Sequence, residues 1–122
     1  MRPHKKLNVW KKSIEFVTKI YKVTESFPDS EKFGLISQIR RSAVSIPSNT
    51  SEGAARSSKK EFIQFLSIAQ GSTSELETQL IISNNLGFLK TENMHLLNEL
   101  DEISRMIIGL IRTLKKQSVT GH

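Results

Sequence analysis

Apolar positions along the chain recur in steps of three and four. Trp10, Ile14, Val17 and Tyr21 draw one stripe down a helix, and Phe16, Ile20, Val23 and Phe27 draw a second beside it. Phe27-Pro28 ends that segment, because the residue before a proline is pushed out of the α region. Asp29 or Ser30 can cap the next helix, which carries Phe33, Leu35, Ile36, Ile39, Ala43, Val44 and Ile46. Pro47 is expected to kink it, and the helix can resume as far as Gly53, which reads as a C-terminal cap. Ser58 and Glu61 form a capping box ahead of Phe62, Phe65, Leu66 and Ala69, and the same face returns at Leu76 and Leu80 before Gly87. The middle of this third helix, Ala69 through Gly71 to Ser74, is mostly small residues and predicts a tight helix crossing. Thr91 can cap a fourth helix, where Leu96, Leu100, Ile103, Ile107, Leu110 and Leu114 repeat. Leu97, Met106, Ile108 and Ile111 widen that face beyond what one core requires, which points to contact with another subunit.

No run alternates polar and apolar residues, and the joins near Pro28, Ala55 and Leu89 are short. Short joins force antiparallel neighbours, so the pattern predicts an all-α protein: an antiparallel up-down-up-down four-helix bundle. Helices of about 20 residues would make it about 30 Å long. At 122 residues the chain reads as a single domain, residues 1-122, with its core over about residues 7–117.

Charge changes this picture. The chain has 18 basic and 12 acidic residues, a net charge of +6. That favours nucleic acid, acidic protein or anionic membrane over a neutral small molecule. There is no cysteine, which excludes disulfides and thiolate metal sites. No stretch approaches the roughly 20 apolar residues that span a bilayer, and no signal-peptide core follows the N-terminal charges, so a cytoplasmic location without membrane contact is expected.

The cations stand where helices begin, an unfavourable end of the helix macrodipole. In an up-down bundle the starts of helices one and three share a pole with the finishes of helices two and four. Arg2, Lys5, Lys6, Lys11, Lys12, Arg56, Lys59, Lys60, Arg112, Lys115 and Lys116 then converge, with Glu15, Glu52 and Glu61 as the nearby acids. Ser57 and Ser58 add hydroxyls, and exposed helix N-termini add N–H groups suited to phosphate. A merely solubilising charged end is the plainer reading of the same cluster. The eight aromatic residues lie mostly at core spacing, so a base-stacking platform is not indicated.

Individual residues suggest structural roles. Trp10 and Pro47 should lie at similar heights, the indole filling space opened by the kink. Arg40 and Arg41 lie inside helix two opposite the Gly71 to Glu75 region, which suggests an Arg41 to Glu75 ion pair, with RNA contact as the other reading. Glu92 and His95 have the Glu-x-x-His spacing of di-iron bundles but lack the second pair that such sites need, so no metal and no cofactor are expected. His4, His95 and His122 are scattered, and no catalytic triad, nucleotide loop or paired-carboxylate site stands out. Asn49-Thr50-Ser51 has the form of a glycosylation sequon without a secretory signal.

The stretch Gln38 to Gly53, Gln-Ile-Arg-Arg-Ser-Ala-Val-Ser-Ile-Pro-Ser-Asn-Thr-Ser-Glu-Gly, resembles the signature of four-helix bundle proteins encoded in intervening sequences of bacterial 23S ribosomal RNA genes. Val9-Trp10 with Ser13, Phe27-Pro28 with Glu31, Glu61-Phe62, and Ile68-Ala69-Gln70-Gly71-Ser72 with Glu75-Leu76 agree in order, so the resemblance covers roughly Leu7 to Leu114. It marks Trp10, Arg40, Arg41, Pro47, Glu52, Gly53, Gly71 and Glu75 as motif positions. The chain departs at Thr50-Ser51, where the family more often has Ile-Ala or Val-Ala. The resemblance implies a ring-shaped homopentamer similar to the accessory protein of diversity-generating retroelements, which is basic, binds nucleic acid and partners a reverse transcriptase. It implies binding and no turnover. Two functions are therefore expected to compete: nucleic-acid binding through the basic pole, or a scaffold for a reverse-transcriptase-like or other protein partner.

Overall fold

The structure, a computed structural model, describes His4 and residues 7–120. Among the described residues there are four α-helices and no strand. They are α1 (Asn8–Thr24), α2 (Leu35–Ala54), α3 (Lys59–Asn85) and α4 (His95–Thr120), with single 3-10 turns at Asp29–Glu31 and Thr91–Asn93. The helices pack in the order α1, α2, α3, α4, and α1 also touches α4, which closes the bundle. Side-chain links fix the antiparallel sense. Lys12 and Lys19 of α1 reach Glu102 and Glu99 of α4, Arg40 of α2 reaches Tyr21 and Thr24 of α1, and Ser45 of α2 bonds Ser72 of α3 at 2.8 Å. Between α3 and α4, Gln70 Nε2 donates to Ser104 Oγ at 2.7 Å.

The core is a column of Phe16, Ile20, Ile39, Ile46, Leu66, Leu76, Leu80, Leu96, Leu100, Ile103 and Ile107, all essentially inaccessible. On α1 it uses only one of the two predicted stripes. Phe16 and Ile20 go inside with Ser13 and Thr24, while Ile14 and Tyr21 of the other stripe are about 40% exposed. Small polar residues suit this seam because their hydroxyls bond the helix itself. Thr24 Oγ1 donates to the Ile20 carbonyl at 2.8 Å and Thr50 Oγ1 to the Ile46 carbonyl at 2.8 Å. Thr50, the departure from the family pattern, is fully buried. At one end of the bundle Phe27 and Phe88 pack ring to ring, centroids 5.9 Å apart, tying the two loops there together.

Punctuation is local where it was legible. Ser58 accepts a hydrogen bond from the Glu61 N–H at 3.1 Å and caps α3. Ser58→Ala is expected to lower stability by about 1 kcal/mol, measured as a shift in urea midpoint at constant slope; an unchanged midpoint would show that the cap contributes nothing. Gly87, at φ +81°, ends α3 in a Schellman turn, with Phe88 N–H bonding the Ser83 carbonyl and Gly87 N–H the Asn84 carbonyl. Other boundaries depart from expectation. Neither Asp29 nor Ser30 caps α2; Gly34 is its N-cap, and Glu31 Oε1 accepts from the Leu35 N–H at 3.2 Å. Phe33 consequently falls on the preceding turn, 91% exposed, outside the core. Thr91 opens a 3-10 turn and makes no side-chain cap.

The helix α2 runs through Pro47 to Ala54 and has its C-cap at Ala55, so Gly53 does not terminate it. Gly53 is instead a point of close approach between α2 and α3. A Cβ there would lie 2.8 Å from Phe65 Cβ and 3.1 Å from the Phe62 carbonyl oxygen. In the small-residue stretch Ala69 to Ser74 it is Ser72 that meets α2, bonding Ser45, while Gly71 faces outward: a Cβ there would meet nothing within 4 Å. Ala69, Ser72 and Thr73 are the small residues of α3 that are buried.

Candidate nucleic-acid interface

Topology gathers the cations at one end, with an axial offset. Lys5 and Lys6, like Arg2, lie outside the described residues. The Gln70–Ser104 bond brings Lys59 and Lys60, at the start of α3, level with Leu114 and Lys115 of α4. Arg56, Ser57 and Ser58 occupy the adjoining loop, and all of them are exposed. The α1 lysines are lower. Lys12 bonds Glu102, so Lys11 and Lys12 stand about 12 to 13 residues short of Lys115, about 18–20 Å along the axis at 1.5 Å per residue. The cause is length: α1 has 17 residues and α4 has 26, so α4 rises past the start of α1.

Partners divide the cluster further. Lys12 is paired with Glu102 at 3.0 Å, a carboxylate not counted among the pole's acids from sequence. Arg56 bonds Glu52 at 2.8 Å and covers the Phe65 ring at 4.9 Å, which fixes its guanidinium on the rim. Lys59, Lys60, Arg112 and Lys115 are exposed and meet no carboxylate among the described residues. Lys116 is exposed beside them. Ser58 Oγ accepts its capping bond, leaving the hydroxyl proton available to a phosphate oxygen. The chemistry available is an electropositive rim of amines and one oriented guanidinium, without a cleft.

Of the motif residues, Arg40 and Gly53 serve helix packing, Glu52 bonds Arg56, and Gly71 faces open space. Arg40 braces α1 against α2: Nε donates to Thr24 Oγ1 at 2.9 Å, Nη2 to the Tyr21 carbonyl at 3.1 Å, and the guanidinium lies 4.5 Å from the Tyr21 ring centre. Arg41 does not pair with Glu75. The two face each other across a polar cleft of about 360 Å³ between α2 and α3 without an ion pair. Trp10 and Pro47 do share a height, but the half-buried indole leaves the space open. They line a mostly apolar groove of about 250 Å³ with Ile14, Val17 and Val44. His4 packs edge-on against Trp10, centroids 4.9 Å apart.

Lys19 and His95, away from the rim, make structural contacts. The Glu99 carboxylate, hydrogen-bonded to the Lys19 ammonium, holds the Lys19 pKa above its ordinary 10.5. A raised lysine pKa stabilises below the unfolded value and is lost as pH rises through the folded one, so this pair acts only up to strongly alkaline pH. His95 caps the preceding turn through Nδ1 and the Glu92 carbonyl at 3.0 Å. Among the described residues no group of three or more His, Asp or Glu could hold a metal. No described helix is long and apolar enough to cross a membrane.

A closed antiparallel four-helix bundle with a cationic rim at one end defines the class of protein. Residues 5–109 match the family model of the 23S rRNA-intervening sequence protein, and the chain belongs to that family. Among solved structures it is similar to a protein of unknown function from the S23 ribosomal protein family of Bacteroides thetaiotaomicron VPI-5482. The two share 29% identity and a TM-score of 0.78, over 85% of this chain and 95% of that one. No curated protein matches the chain.

Proposed function

We propose that this chain is a non-enzymatic, self-associating protein that binds the phosphates of nucleic acid with its cationic rim. The observation that carries this reading is the level placement of Lys59, Lys60 and Lys115, exposed and without carboxylate partners among the described residues, beside the oriented Arg56. Amines on a convex surface meet a phosphate backbone without reading bases, so the binding is electrostatic and insensitive to sequence. Lys11 and Lys12, lower on α1, extend the footprint down one side. Self-association follows from surface that a lone protomer leaves unexplained, including Ile14, Val44, Ile68, Ile82 and the open Gly71. Five copies in a ring would carry about +30, a field that steers polyanions strongly.

Replacing Lys59, Lys60, Lys115 and Lys116 with glutamate tests the reading. The expected result is loss of low-salt double-stranded RNA binding with helicity intact by circular dichroism. For the unaltered protein, four phosphate contacts imply about a hundredfold weakening between 50 and 200 mM salt. Undiminished affinity in the fourfold variant would end the proposal. A partner captured at high salt after nuclease treatment would favour the protein-scaffold reading.

A further inference from the structure

At the far end of the bundle from the cationic rim, Phe33 is the most exposed large apolar residue, 91% accessible. It stands over a cleft of about 400 Å³ between the end of α1 and the start of α2. Its walls bring two aromatic rings, Tyr21 and Phe33, together with three cations, Lys32, Arg40 and Arg41, beside Ile36 and Ser37, and include no carboxylate. Glu31, next to it in the chain, is turned to the Leu35 N–H and caps α2. Nothing in the packing of the protomer calls for an exposed phenylalanine here, and burial of a bare apolar partner would not call for three cations.

From this combination we infer that the cleft binds a nucleotide unit, with a base stacked on Phe33 and its phosphate held by Lys32 and Arg41. The Phe33 ring is open to stacking, and its present neighbour is the Lys32 ammonium, 5.6 Å from the ring centre. An arriving base displaces that ammonium, which then lies beside the ring where a phosphate follows the base. Tyr21 is held rigid by the Arg40 guanidinium on its face and forms a fixed wall. Arg41 has no partner among the described residues, so its five donors are available for a bidentate phosphate contact. Bases of every kind offer a face to stack, so the cleft selects single-stranded or free nucleotides over duplex and reads no sequence. It is separate from the rim and stands whether or not the rim binds phosphates.

The test uses the full chain with two probes, a labelled ten-nucleotide oligoadenylate by fluorescence anisotropy and adenosine monophosphate by equilibrium dialysis. Phe33→Ala, which removes nothing from the core, is expected to weaken binding about tenfold. Phe33→Trp should retain wild-type affinity, while Phe33→Leu, apolar without a π face, should behave like the alanine variant. Arg41→Gln should lower the slope of log affinity against log salt by about one. Binding of the monophosphate alone would identify a free nucleotide as the ligand, and binding of the oligomer alone a strand; both support the cleft. The fourfold glutamate variant of the rim should keep its Phe33-dependent binding, which separates failure here from failure there. Wild-type protein that binds neither probe, Phe33→Ala with unchanged affinity, or full rescue by Phe33→Leu would overturn the inference.

Discussion

Gly53→Ala is expected to destabilise the bundle by about 1–2 kcal/mol, although the same exchange on an open helix face stabilises. Two effects compete. Alanine gains about 1 kcal/mol over glycine in a helix interior, but the added methyl would stand 2.8 Å from Phe65 Cβ, 2.9 Å from Phe62 Cδ1 and 3.1 Å from the Phe62 carbonyl oxygen. The Phe62 ring can turn; the Phe65 Cβ and the carbonyl belong to the α3 backbone and yield only if the helices separate. Overpacking of this kind costs typically about 1–3 kcal/mol, and more where the backbone must move. Gly53→Leu adds three further carbons at the same point and should reach about 3 kcal/mol or beyond. Gly71→Ala is the internal control. No atom lies within 4 Å of its added methyl, so it should stabilise the protomer by up to about 1 kcal/mol. Urea unfolding followed by circular dichroism measures all three, and a stabilising Gly53→Ala would show that α2 and α3 are not in contact there.

These two glycines show where the sequence was legible and where it was not. Four helices were readable because period and short joins are local properties, and so was the Ser58 cap, which involves one backbone N–H three residues on. A glycine at the end of an apolar run, however, looks alike whether it terminates a helix or admits a neighbour. Gly53 is decided by Phe62 and Phe65, on another helix. Phe33 sits at core spacing from Ile36 and Ile39, and only the turn that Glu31 and Gly34 make takes it out of register. On α1 both stripes have helical period, and the buried one is distinguished by Ser13 and Thr24, small enough to let helices approach.

The candidate sites follow the same division. That cations would share a pole could be deduced from chain direction alone. That Lys11 and Lys12 stand lower could not, since it depends on how far α4 outruns α1. The cleft at the other end was hidden because its aromatics were counted as core. Tyr21 and Phe33 are left facing solvent because Phe16 and Ile20 take the interior places. The basic rim and the aromatic cleft lie at opposite ends of the bundle, so the two proposals concern different surfaces and can be tested separately.

Phe16→Ala should have the largest effect of any single truncation on α1, about 3–5 kcal/mol, the usual range for emptying an aromatic core position. Phe16 is 2% exposed, and the helix has little else to hold it. With 17 residues it is the shortest of the four, its N-cap Leu7 supplies no side-chain bond, and its first turn carries no acid to offset the macrodipole. Short helices are marginal without tertiary contacts, so α1 depends on the apolar face formed by Val9, Phe16 and Ile20. At roughly 3–5 °C per kcal/mol for a domain of this size, the melting temperature should fall by about 10–20 °C. Loss should also be uneven. Hydrogen exchange in Phe16→Ala is expected to release the α1 amides first, while α2 and α3, joined by the Gly53 seam and the Ser45–Ser72 bond, keep their protection longest. Equal loss of protection in all four helices would mean that α1 is not the weakly held element, and that the bundle opens only as a whole.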